Sequence, residues 1–354
     1  MARMKRYIRL SLIGFGFALI ILFPEDTAAA IRDGLTLCSQ TLIPALFPYL
    51  ILTGLFLKIG MPKHTGGSIQ KLFTRIFGIS GSGLGAVIVG SIGGYPTGAK
   101  AVGELYAERL ITREDAHRLL FFACNAGPAF MIAVVGSALY HSPSLGLILL
   151  AIQILSSLVC GLILPARSVT EQAQPIPGQQ SPEFSTAFVR AITDGVSTML
   201  KICGFVCFFS LILALEKRLF SASEQAFAVL AGLTELSFGC TVTAQCSLPW
   251  VLKLCLTSAF ISFGGLCVLC QTVSVLRDAG LTAKPYLLGK TLQALLSALF
   301  TWPAALLVSP VISTASLQAE LQPVSPWPWT LLSLGLVFMI FLQFPSRNFQ
   351  KNRL

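Results

Sequence analysis

Apolar stretches of about 20 residues, the length a helix needs to cross a hydrocarbon core, recur along almost the whole chain and constrain it more than any other feature. Peptide groups in lipid find no water to bond, so such stretches fold as helices that satisfy their own N–H and C=O groups. Eight read as transmembrane helices: Tyr7 to Phe23, Leu42 to Ile59, Leu119 to Tyr140, Pro143 to Leu164, Ser197 to Leu215, Trp250 to Val275, Pro285 to Val311 and Trp327 to Phe344. Two shorter pieces, Gly83 to Tyr95 and Ala226 to Thr241, are interrupted by glycine or polar residues and read as re-entrant hairpins or broken helices. The expected fold class is therefore an all-α polytopic membrane protein. Composition excludes the alternatives: 54% of residues are hydrophobic and 11% charged, against roughly 25% charged in soluble domains, so neither a water-soluble nor a disordered chain fits.

Charge then orients the spans. The formal net charge is +10, yet no extended basic run carries interleaved aromatics, so the excess belongs to Lys and Arg flanking helices and not to a nucleic-acid surface. Arg3, Lys5, Arg6 and Arg9 at one end and Arg347, Lys351 and Arg353 at the other put both termini in the cytoplasm and require an even number of crossings. Residues 1–29 read as an N-terminal transmembrane anchor or a signal-like segment, because a basic start and an apolar core lead to Asp26-Thr27-Ala28-Ala29-Ala30. The 10 cysteines are scattered through apolar runs and imply no disulfide framework. His64, His117 and His141 lie far apart, so neither a metal site nor a cofactor is expected.

Ala30-Ile31-Arg32-Asp33-Gly34 returns as Ala191-Ile192-Thr193-Asp194-Gly195, and each copy is followed by an apolar span, a short Gly-containing piece, a polar stretch and a long span containing glycine. The topology places Asp33 outside and Asp194 inside, which makes the two copies an inverted repeat of the kind many secondary transporters use. A duplicated bundle that merely packs is the alternative. The expected organisation is 30–164 and 186–311 as the two repeats, 165–185 as a polar Pro- and Gln-containing linker, and 312–354 as a last transmembrane helix with a basic tail.

Chemistry concentrates where helices should break. Gly93, Gly94, Tyr95, Pro96 and Thr97 combine permissive backbone with a missing donor, and the helix restarting near Thr97 would aim its N–H groups into the gap. Asn125, Gly127 and Pro128 should interrupt a second helix, and Glu235 places a carboxyl inside an apolar piece that runs on to Thr241. These residues are the candidate solute-binding set; the competing reading of each is tight packing through small residues or hydrogen bonding between helices. Ala99 to Leu110 reads as an amphipathic helix along the cytoplasmic interface, and Thr112 to Asp115 as a capping-box start. Lys201 and Lys290, inside expected spans, read as side chains that snorkel. No nucleophile with a base is apparent, so no enzyme is expected.

The run Gly94-Tyr95-Pro96-Thr97-Gly98-Ala99-Lys100, the Leu110-Ile111-Thr112 turn and Asn125-Ala126-Gly127-Pro128 resemble the YlbJ-type sporulation integral membrane proteins, which carry the nucleoside-recognition or Gate domain. The resemblance covers roughly Ile31 to Leu306. It implies a multi-pass protein of the bacterial cell membrane in spore-forming Gram-positive organisms, needed for the spore cortex, with a layout similar to nucleoside transporters. The partners expected from the whole reading are the lipid bilayer, an unidentified small polar solute and a second copy of the chain in a homo-oligomer, with no nucleic acid. A non-transporting assembly or signalling component of the sporulation membrane is the alternative function. The family often has a hydroxyl residue where this chain has Ala126.

Overall fold

The computed structural model describes residues 2–60, 67–165, 183–219 and 223–319. Every regular element among them is helical: α1 (Ala2–Leu22), α2 (Pro24–Leu37), α3 (Ile43–Gly60), α4 (Ser68–Phe77), α5 (Leu84–Gly93), α6 (Tyr95–Ala107), α7 (Arg113–Phe122), α8 (Pro143–Ile163), α9 (Phe184–Leu219), α10 (Glu224–Thr234), α11 (Leu236–Gln245), α12 (Trp250–Phe263), α13 (Gly265–Asp278) and α14 (Lys284–Ala319). Wider π-helical turns occupy Cys38–Leu42 and Phe130–Leu139. Compactness divides the chain into Met1–Val311 and Ile312–Leu354, and the packing described below belongs to the first unit.

Five helical stretches are long and apolar enough to cross a membrane: Pro24–Phe56, Pro143–Ile163, Phe184–Lys217, Trp250–Asp278 and Lys284–Val308. A sixth arises if α4 and the bent piece Gly81–Gly93 are counted as one broken span. The expected eight are therefore met only in part. The Tyr7 to Phe23 run is helical as far as Leu22, and Ile13–Leu22 within it is an apolar helix. Leu119 to Tyr140 is not one helix: it stops at Phe122 and resumes as the π-helical Phe130–Leu139. Trp327 to Phe344 lies outside the described residues, as does most of the linker.

Two long helical stretches form the scaffold. One runs from Pro24 through the π-helical turn to Gly60, so the expected span from Leu42 begins a good deal earlier; the other is α9. They pack side by side. A Cβ built on Gly34 would lie 3.0 Å from the Cys207 backbone, one on Gly54 3.8 Å from Ala191, and one on Gly195 3.1 Å from Ile51. Rising numbers on one helix meet falling numbers on the other, so the pair is antiparallel. Small residues at Gly34, Gly54, Ala191 and Gly195 permit the approach, which is how helices associate when lipid removes the hydrophobic drive. At one end Lys58 Nζ lies 2.8 Å and Lys100 Nζ 3.5 Å from Asp194 Oδ2, joining α3, α6 and α9.

After each scaffold helix, and in the first half after the additional helix α4, the same order of elements follows. In the first half it is a hairpin of α5 and α6, a broken span of α7 and Phe130–Leu139, and the straight α8. In the second it is α10 with α11, α12 with α13, and α14. α6, which carries the stretch from Ala99, is the return arm of the first hairpin, packed against α5 and α13 with Ala99, Ala101, Val102 and Leu105 buried. Its alternation of small and large residues imitates an amphipathic pattern, but Gly98, Ala99, Ala101 and Gly103 leave so little bulk that neighbours close in around it. The Thr112 capping box is present, with Asp115 N–H donating to Thr112 Oγ1 at 3.1 Å and Thr112 N–H to Asp115 Oδ2 at 3.3 Å.

Candidate functional site

The two hairpins are built alike. In the first, Gly90 faces Gly98 where the arms cross, and a Cβ on Gly98 would lie 2.9 Å from the Gly90 Cα; a Cβ on Gly90 would overlap the Ala123 carbonyl. In the second, Gly232 faces Gly239, and a Cβ on Gly239 would overlap the Gly232 backbone. Each hairpin therefore crosses at a glycine pair: a side chain at Gly98 or Gly239 would press on the opposite arm, one at Gly90 on the Ala123 carbonyl, and one at Gly232 on the Phe260 ring.

Between the arms each hairpin breaks, by different means. Gly94 takes φ +90° and ψ −179°, a region essentially reserved for glycine. Pro96 falls in the first turn of α6, where a missing N–H leaves no intrahelical bond unmade. The Thr97 hydroxyl donates across the gap to the Gly93 carbonyl at 2.9 Å. In the second hairpin Glu235 is extended, at φ −137° and ψ 125°, and its Oε2 accepts the Phe238 N–H at 2.7 Å. Glu235 thus caps α11, putting a carboxylate where the helix dipole presents partial positive charge. The start of α6 has no side-chain cap.

Each break rests on the break of the span that follows it. A Cβ on Gly127 would lie 2.8 Å from the Ile92 carbonyl and 3.4 Å from Gly94 N, while one on Gly265 would lie 3.3 Å from the Thr234 carbonyl. A Cβ on Gly264 would lie 3.6 Å from Tyr95 Cζ, so the halves meet at the Tyr95 ring. Around this meeting point is a cavity offering about 90 Å³ to the centres of water-sized molecules, several times what one water requires. Gly93, Gly94, Tyr95 and Pro96 line it from the first hairpin, Ala126 and Gly127 from the α7 break, Glu235 and Ser237 from the second hairpin, and Gln271 from α13. Apolar side chains, among them Leu42 and Phe130 of the two π-helical turns, complete the wall. Glu235 is 1% exposed, so its carboxylate is enclosed by protein.

Of the residues singled out from sequence, Gly93, Gly94, Tyr95, Pro96, Gly127 and Glu235 therefore border one space. The others do not line it. The Thr97 hydroxyl is turned back to the Gly93 carbonyl at the end of α5, and that of Thr241 onto its own helix, where it donates to the Ser237 carbonyl at 2.9 Å. Pro128 lies just beyond the α7 break and is half-buried. Asn125 faces the opposite way, into a buried polar belt formed by α7, α8, α12 and α14. Its amide donates to Ser157 Oγ at 3.0 Å and to the Phe122 carbonyl at 3.2 Å. Ser297 Oγ lies 2.7 Å from Ser156 Oγ and 2.6 Å from Ser262 Oγ.

The sequence reading missed this belt, and with it Lys290. Lys290 does not snorkel: it is fully buried and donates to the Cys124 carbonyl. Lys201, by contrast, is exposed on α9. The signal for the belt was a polar stripe at helical spacing, Lys290, Gln293, Ser297 and Thr301, all buried, while Leu288, Leu295, Leu299 and Trp302 of the same helix face outward.

Fold and site together define a multi-pass, all-helical membrane protein whose centre is made of interrupted helices. Along its length the chain is 24% identical, over 320 residues, to the sporulation integral membrane protein YlbJ of Bacillus subtilis (strain 168), covering 80% of this chain and 78% of that protein. The similarity bears out the resemblance to the YlbJ-type proteins. The chain matches no protein-family profile. It also matches no solved structure.

Proposed function

We propose that this chain is a membrane transporter or channel-like protein for a small polar solute, nucleoside-like compounds among them, acting in sporulation and in formation of the spore cortex. One observation carries the reading: two helix breaks from distant segments, one ending in an uncapped helix start and the other in the carboxylate of Glu235, face a common cavity. Broken helices that converge on a midplane site are how secondary transporters present polar groups without exposing them to lipid. An uncapped N-terminus offers donors and a carboxylate offers acceptors, so the cavity suits a solute carrying both. In this reading the recurring order of elements is a Gate-type inverted repeat, both termini are cytoplasmic, and the protein performs no catalysis.

A non-transporting assembly component is the second reading. It draws on the small volume of the cavity and its largely apolar wall. Vesicles with and without the protein, offered a panel of nucleosides and small carboxylates, separate the two. Uptake of one class that Gly94→Val abolishes supports transport. Absence of uptake across the panel, together with full sporulation by an Ala126→Leu protein whose cavity is filled, supports assembly. Cysteine labelling is expected to place residues 166–182 on the same face as both termini; labelling from the opposite face would overturn the inverted arrangement.

A further inference from the structure

Lys290 belongs to no part of that reading, and its surroundings are unusual for a lysine. It is fully buried in a helix whose outward face is leucine and tryptophan, and among the described residues it pairs with no carboxylate. Three oxygens surround its ammonium instead: the Cys124 carbonyl, released where α7 breaks, Gln293 Oε1, and Asn125 Oδ1 at 3.4 Å. The network fixes which way the two amides point. Asn125 Nδ2 is committed to Phe122 and Ser157, and Gln293 Nε2 to the Asn125 oxygen at 2.9 Å and the Gln153 carbonyl at 3.1 Å. Both amides therefore turn their oxygens to Lys290, and neither can rotate without losing two bonds. The remaining side is the Tyr95 ring, whose centroid lies 5.5 Å from Nζ, within cation–π range. Glycine at 289 makes the placement feasible: a Cβ there would overlap the Phe121 carbonyl, so α14 lies directly on α7.

Carbonyl and amide oxygens converging at a broken helix are the ligands that suit a hard monovalent cation in a membrane protein. We infer that the Lys290 ammonium occupies a monovalent-cation site, as a tethered cation that pins the α7 break in place of an inorganic ion. This goes beyond solute transport and stands whether or not a solute moves. The role is structural in its first effect, since removing the ammonium takes this donor from the Cys124 carbonyl and Gln293 Oε1, while Asn125 Oδ1 keeps the Gln293 amide.

Thermal unfolding of the purified full chain in chloride salts of sodium, potassium, methylammonium and choline, at equal ionic strength, tests it. The wild-type midpoint is expected to be the same in all four, because the site is already filled. Lys290→Ala is expected to unfold at lower temperature in choline and to regain stability in methylammonium, sodium or potassium, which are small enough to enter the vacated space. Lys290→Met fills that space without a donor, and is expected to be destabilised with no recovery in any salt. A Lys290→Met protein as stable as wild type, or a Lys290→Ala protein indifferent to the cation, would overturn the inference. The wild-type measurement needs no variant to fold, and a selective gain in one inorganic cation would overturn it as well.

Discussion

The breaks at Gly94 and at Glu235 solve one problem with opposite resources. Both interrupt a hairpin that is closed by a glycine pair, and both rest on the break of the following span. At Gly94 the backbone itself is special and the helix start is bare; at Glu235 the backbone is ordinary and the side chain supplies what the helix start lacks. The first break should therefore be intolerant of any side chain, whereas the second should tolerate changes of backbone preference but not loss of an acceptor. Symmetry of architecture does not bring symmetry of chemistry, and the cavity inherits one positive-leaning wall and one negative-leaning wall.

The shared feature gives the largest expected effect. Gly90→Val and Gly239→Val each drive a branched side chain into backbone, at more than about 3 kcal/mol, and both proteins are expected to be nearly absent from membranes on immunoblots. Equal abundance of either with wild type would show that the glycine crossings are not what closes the hairpins. Next comes Gly94→Val. Its Cβ meets only Gly127 N, at 3.6 Å, so the cost is mainly backbone strain, about 1–3 kcal/mol. Reduced but measurable abundance with complete loss of solute uptake, or of sporulation, is the expected result.

Glu235 separates capping from charge. Glu235→Gln keeps an oxygen to accept the Phe238 N–H and loses only the charge at the helix start, about 0.3–1 kcal/mol; Glu235→Ala loses the cap as well, about 0.5–2 kcal/mol. The Gln protein is expected at near-normal abundance without function, and the Ala protein without function and at reduced abundance. Full function in Glu235→Gln would leave this carboxyl as a cap and nothing more. Smallest of all should be Thr241→Val, whose lost hydroxyl only doubles back on its own helix; abundance and function within error of wild type are expected, and a strong defect would place Thr241 in a site this arrangement does not give it.

The breaks were legible because Gly, Pro and a lone acid are costly inside apolar helices and so stand out one by one. Gly93 to Pro96, Gly127 and Glu235 mark interruptions in the structure, whereas the break at Gly264-Gly265, inside the expected Trp250 to Val275 span, was not read. Direction was harder to read. Asn125 sits within two residues of Gly127 and yet faces away from the cavity, because a step of two along a chain can point a side chain to another side. Lys290 illustrates a second limit: a single lysine in an apolar run reads the same whether its helix turns it to the lipid edge or to a neighbour, and its ligands Cys124 and Asn125 lie far away in sequence. The stripe formed with Gln293, Ser297 and Thr301 held that information, as a pattern across residues each of which is unremarkable alone.

The scaffold helices set a ruler against the bilayer. With 36 residues, α9 is about 54 Å long at 1.5 Å per residue, while the hydrocarbon it crosses is about 30 Å thick. Asp33 stands beside Gly34, which meets Cys207, and Asp194 stands beside Gly195, which meets Ile51. The helix between Gly34 and Ile51 rises by about 26 Å and that between Gly195 and Cys207 by about 18 Å, so the two aspartates lie toward opposite ends of the contact between the helices. Both helices run on well past this contact, and a helix longer than the oily layer is thick meets the mismatch by tilting, so lipid thickness bears on the lean of the scaffold from which both broken hairpins hang.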